Sequence, residues 1–124
     1  MASIFIVDDD HDILLSLNTW FTFKAYQVKT FQNGKDLLPN IVQYKPDLVL
    51  LDVMLQGEDG RFLCRDIKEQ AHYPVKVLLF SANPMALLSY QYDYADGIIN
   101  KPYDLVSLEA KCRKLINTKH KWYE

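Results

Sequence analysis

Three short, uninterrupted apolar runs constrain this chain more than any other feature: Ile4-Phe5-Ile6-Val7, Leu48-Val49-Leu50-Leu51 and Val77-Leu78-Leu79-Phe80. A run of that length without polar alternation suits a strand buried on both faces, as in a parallel sheet sandwiched between helices. Strands are expected over 3–8, 47–52 and 75–81, with weaker candidates at 26–31 and 96–100. Helical periodicity follows each one. The pattern therefore reads as an α/β fold, a single (βα)5 doubly wound parallel sheet with right-handed crossovers. A length of 124 residues suits one domain, 1–124, with a short tail from about 118.

The helices can be placed by their stripes and caps. Ile13, Leu14, Leu17, Trp20 and Phe21 recur at three- and four-residue spacing, and Asp10 or Asp12 can cap that helix. The second is expected over about 34–44, with Leu37, Leu38, Ile41 and Val42 on one face and Pro39 in its first turns. Asp59 and Gly60 open the third, which turns Leu63, Cys64 and Ile67 inward. Asn83 and Pro84 make a cap and first-turn pair for a fourth, and Asp104 caps a fifth with Leu105, Leu108, Cys112, Leu115 and Ile116 in its stripe.

Charge and composition narrow the functional classes. Fourteen basic and 16 acidic residues leave a net charge of −2, which exerts no general pull on nucleic acid or anionic membrane. No apolar run approaches the roughly 20 residues of a membrane span, and Asp8 comes too early for a signal peptide, so the expected location is cytoplasmic. Cys64 and Cys112 show no metal or redox spacing and are expected to be buried thiols; His11, His72 and His120 show no ligand spacing.

What remains is a set of polar residues at strand ends. Asp8 and Asp9 close the first apolar run, Asp52 the second and Ser81 the third, while Lys101 follows Ile98-Ile99-Asn100. Parallel strands would deliver all of them to the carboxyl edge of one sheet, where open α/β folds bind ligands. Crowded carboxylates call for a cation or a proton, and an oxygen-only donor set suits a hard ion, Mg²⁺ first. A carboxylate nucleophile, two further acids, a hydroxyl and an ammonium together make a kit for phosphoryl transfer.

Ile6-Val7-Asp8-Asp9-Asp10, Asp47-Leu48-Val49-Leu50-Leu51-Asp52-Val53-Met54-Leu55, Asp59-Gly60, Ser81-Ala82 and Lys101-Pro102, in that order, resemble the receiver domain of bacterial two-component response regulators. The resemblance implies the flavodoxin-like strand order 2-1-3-4-5. It implies that Asp52 takes a phosphoryl group from a sensor histidine kinase or a histidine phosphotransfer protein. Asp8, Asp9, Asp52 and the backbone carbonyl of Met54 would hold Mg²⁺, Lys101 and Ser81 would meet phosphoryl oxygens, and Lys101-Pro102 would be a cis peptide. Met54 and Asn83 would flank the path of the hydrolytic water.

By the same resemblance the output face lies on the fourth helix, fifth strand and fifth helix, for an effector domain or a homodimer. Tyr90, Tyr92, Tyr94 and Tyr103 supply aromatic surface there, with Ser81, Ile98 and Tyr103 as switch positions. The chain departs from the family pattern at Gln56, where proline usually precedes the glycine, so a more mobile loop is expected. It departs also at Ile98, usually aromatic, and at Tyr94, commonly glycine. Two other readings compete: a Mg²⁺-dependent phosphohydrolase with an aspartate nucleophile, and a flavodoxin-like cofactor binder, although no Gly- or Ser/Thr-rich loop follows the first strand to cradle a phosphate.

Overall fold

The computed structural model describes residues 1–82 and 94–118. Its main sheet is built from β1 (Ser3–Val7), β2 (Gln27–Phe31), β3 (Leu48–Asp52), β6 (Lys76–Ser81) and β7 (Gly97–Asn100), all parallel, in the order β2-β1-β3-β6-β7. Counted along the chain, this is the expected 2-1-3-4-5 order. Each strand lies within one residue of the boundaries read from the sequence. Of the three continuous apolar strands, β3 at the centre of the sheet is fully buried, whereas the outer strands β2 and β7 are only partly so.

The helices are α1 (His11–Phe23), α2 (Leu37–Tyr44), α3 (Gly60–Gln70) and α4 (Leu105–Asn117). Alternation along the strands divides the core in two. Phe5, Val7, Val49, Leu51, Val77 and Leu79 pack with Leu37 and Ile41 of α2 and with Cys64 and Ile67 of α3. Ile4, Ile6, Leu48, Leu50, Leu78 and Phe80 pack on the other face with Leu14, Leu17 and Phe21 of α1 and with Leu108 and Cys112 of α4. Burying each such side chain contributes roughly 1.5–3 kcal/mol, which is why continuous apolar strands need helices on both faces.

The caps follow the sequence closely. The Asp10 carboxylate accepts from the N–H groups of Asp12 and Ile13, that of Asp59 from Arg61, and that of Asp104 from Ser107. Pro39 sits in the first turn of α2, which ends at Lys45 in the left-handed region, φ +48°, just before Pro46. Val42, expected on the buried face of α2, is instead 43% exposed; only Leu37 and Ile41 are buried in this short helix. Asn83, Pro84, Tyr90 and Tyr92, and with them the fourth helix read from the sequence, lie outside the described residues, as does the tail beyond Thr118.

One element had no counterpart in the sequence reading. Met54–Leu55 (β4) and Glu58–Asp59 (β5) form a two-stranded antiparallel hairpin, paired Met54 to Asp59 and Leu55 to Glu58. Strands of two residues have no periodicity to detect.

Candidate functional site

The parallel register sets the site. Val7 pairs with Leu51, so Asp8 emerges level with Asp52, and Asp52 pairs in turn with Phe80. Ser81 pairs with Asn100, and the Lys101 N–H donates to the Ser81 carbonyl at 2.8 Å, one step past the end of β7. The Lys101-Pro102 peptide is cis. Every residue the sequence assigned to this edge is therefore there. Asp8 (1% exposed), Asp52 (4%) and Ser81 (0%) are buried, while Asp9 stands exposed at the mouth.

The Lys101 ammonium lies between the two buried acids, 3.2 Å from Asp8 Oδ2 and 3.0 Å from Asp52 Oδ2. Burial alone would lower the lysine pKa, but its hydrogen bond to Asp52 and the charges of Asp52 and Asp8 outweigh that and hold it above its ordinary value. Burial pushes the Asp8 carboxyl up to about 6; the charge of Asp52 adds to the rise, while the Asp10 N–H and Lys101 oppose it. One cation thus serves two buried anions, and a third carboxylate stands beside them. Asp8, Asp9 and Asp52 each offer an oxygen, and these oxygens lie within 4.8 Å of one another. An all-oxygen set so spaced fits a hard divalent ion.

The chain matches the response regulator receiver domain family over residues 4–113. It belongs to that family. It is 31% identical over 117 residues to the response regulator ArlR of Staphylococcus aureus, a match covering 94% of the chain and 53% of ArlR. The chain spans about half the length of the curated relatives it matches. Among solved structures it resembles TrrA of Thermotoga maritima in complex with Mg²⁺-BeF, at a TM-score of 0.86 and 26% identity over 93% of this chain and 99% of that one. It also resembles the BeF3-activated N-terminal receiver domain of Klebsiella pneumoniae RstA, with a TM-score of 0.83 and 28% identity over 94% and 99% of the two chains.

The chain is thus a two-component receiver, a signalling module, and the phosphohydrolase alternative is not favoured. No helix among its described residues is long and apolar enough to cross a membrane. The three positions that the family resemblance led us to expect as switches fall in different places. Ser81 lies at the sheet edge, Ile98 packs into the α2/α3 core, and Tyr103 packs into the α1/α4 core. The Tyr103 ring meets Phe80 edge-on, 6.0 Å between centroids at 81°, and the Lys101 ammonium lies 4.8 Å from the centre of that same Phe80 ring. Burial raises the Tyr103 hydroxyl pKa.

Sequence reasoning missed the contacts that tie down the loop after β3. The Met54 N–H donates to Asp52 Oδ1 and the Gln56 N–H to Asp9 Oδ2, at 2.9 and 2.8 Å. Across the hairpin, Glu58 Oε1 accepts from the Gly34 N–H at 2.9 Å, joining the loop to the segment before α2. The looser loop expected from the missing proline is opposed by these bonds. Gly60 lies so close to β3 that a Cβ there would sit 2.1 Å from the Asp52 carbonyl oxygen. The only sequence signal for these roles was the Asp59-Gly60 pair and the departure at Gln56.

Proposed function

We propose that residues 1–124 form one receiver domain, with a short tail from about 118, in which Asp52 accepts a phosphoryl group from a phosphohistidine. The donor is a sensor histidine kinase or a histidine phosphotransfer protein. An Asp52 carboxylate oxygen attacks phosphorus; the P–O bond forms as the P–N bond breaks, and the imidazole leaves with the bonding pair. Asp8, Asp9, Asp52 and the Met54 carbonyl would hold Mg²⁺. When bound, Mg²⁺ offsets the repulsion between the carboxylate and the incoming phosphoryl group. Lys101, now shared by Asp8 and Asp52, turns to a phosphoryl oxygen, and the Ser81 hydroxyl donates to another.

The observation that carries this reading is the Lys101 ammonium bridging Asp8 and Asp52 beside Asp9. It leaves the Asp52 carboxyl buried and faced by positive charge. The Mg²⁺-BeF complex of TrrA, a relative of the same fold, supports the choice of ion. Transfer and loss of the phosphoryl group are steps the domain performs on itself, without turnover of a separate substrate. The resulting rearrangement passes through Ser81, with Ile98 and Tyr103 as its reporters, to a face on the fourth helix of the family pattern, β7 and α4. An effector domain or a second copy docks there in the cytoplasm, with no direct contact to nucleic acid or membrane. The test is incubation with Mg²⁺ and acetyl phosphate. Wild type should take up one acid-stable, hydroxylamine-sensitive phosphoryl group, and Asp52→Asn none; wild-type stoichiometry in Asp52→Asn overturns the assignment.

A further inference from the structure

The three carboxylates share a pattern. Each has one oxygen held by a backbone N–H: Asp8 Oδ1 by Asp10, Asp52 Oδ1 by Met54, and Asp9 Oδ2 by Gln56. The first two bonds span two residues and come with any turn of that shape. The third spans 47 residues, joining the end of β1 to the tip of the β4–β5 hairpin. Asp9 is also the exposed member of the set, so little else in its surroundings holds its rotamer.

That third bond depends on what stands at position 56. Gln56 keeps a negative φ and Gly57 takes φ +77° between the paired residues Leu55 and Glu58, the signs of a type II turn. Proline is favoured at the second position of such a turn, and Leu55, being in a strand, already has the extended backbone that a following proline demands. The turn would accept proline, but proline has no N–H to give Asp9.

Resting on the receiver reading above, we infer that Gln56 is a positioning residue for the cation site: its backbone N–H fixes Asp9 toward Asp8 and Asp52, leaving the other Asp9 oxygen for the metal. Partners that orient metal ligands typically change affinity by about 10–100-fold when removed. Because Asp9 is exposed, the effect belongs at the low end.

The experiment compares Gln56→Pro, which deletes the N–H, with Gln56→Ala, which keeps it. Mg²⁺ titrations followed by NMR should give a dissociation constant about tenfold weaker for Gln56→Pro and unchanged for Gln56→Ala. Independently of any metal, the Gln56 amide should exchange with solvent several-fold more slowly in wild type than in Asp9→Ala, with both proteins in chelator. Equal titrations of the two position-56 variants, in a wild type that does bind Mg²⁺, overturn this inference alone, as does an unprotected Gln56 amide. A wild type that does not respond to Mg²⁺ overturns the receiver cation reading and this inference with it.

Discussion

Gly60→Ala offers the sharpest test of how Asp52, the proposed acceptor, is held. The added Cβ would stand 2.1 Å from the Asp52 carbonyl oxygen, and 2.9 Å from both the Asp52 carbonyl carbon and Val53 Cα. All three are backbone atoms at the end of β3, so no side chain can swing aside. Relief requires the start of α3 and the end of β3 to part by about 1 Å, against the 2.8 Å bond from the Gly60 N–H to the Val53 carbonyl and against the fully buried packing of β3. Overpacking typically costs 1–3 kcal/mol, and a backbone obstacle places this case at about 3. Alanine recovers under about 1 kcal/mol in helix propensity, leaving a net loss of about 2–3 kcal/mol. In urea melts the midpoint should fall with the slope unchanged. Phosphorylation by acetyl phosphate should slow by about tenfold or more, because the shift displaces Asp52 itself. Gly57→Ala is the control. Gly57 has φ +77° but nothing within 4 Å of a Cβ, so it should lose only about 1–2 kcal/mol and leave the site intact. A Gly60→Ala protein within 0.5 kcal/mol of wild type would refute the reasoning.

Other substitutions probe the charges and the loop. Lys101→Met leaves Asp8 and Asp52 without their shared ammonium and should cost about 3 kcal/mol in chelator, the lower end for a broken buried pair; equal melting of the two proteins would contradict it. Met54, 60% exposed and two residues past the proposed acceptor, cannot orient water, so Met54→Asn should shorten the phosphoryl lifetime, measured by decay of the label after donor removal. Asp59→Ala removes the α3 cap and should cost about 1 kcal/mol near neutral pH. Hydrogen bonds from Arg61 hold the Asp59 carboxyl below its usual range. Its share of stability is therefore present above the ordinary carboxyl pKa and is lost as pH falls through the depressed one. The gap between wild type and Asp59→Ala in melts should accordingly close in strong acid.

The apolar runs at 4–7, 48–51 and 77–80 determined the central strands without help from the rest of the molecule, because only a doubly covered sheet tolerates strands with no polar face. Once those strands are parallel, the polar residue after each must share one edge, and so Asp8, Asp52 and Ser81 were legible together. The caps Asp10, Asp59 and Asp104 were legible for the same reason, since their chemistry is complete within three or four residues. What tertiary structure alone decided is everything that depends on approach across the chain. The shared ammonium joins Lys101 to Asp8 over 93 residues, and the Gln56 N–H meets Asp9 over 47. The Tyr26 hydroxyl donates to Glu109 over 83 residues, burying an acid that the stripe of α4 gave no reason to bury. The β4–β5 hairpin is too short to carry a period, and Gly60 reads in sequence like any helix-start glycine. Its necessity lies in the distance to the Asp52 carbonyl, a quantity set by how α3 packs on β3 and by nothing local.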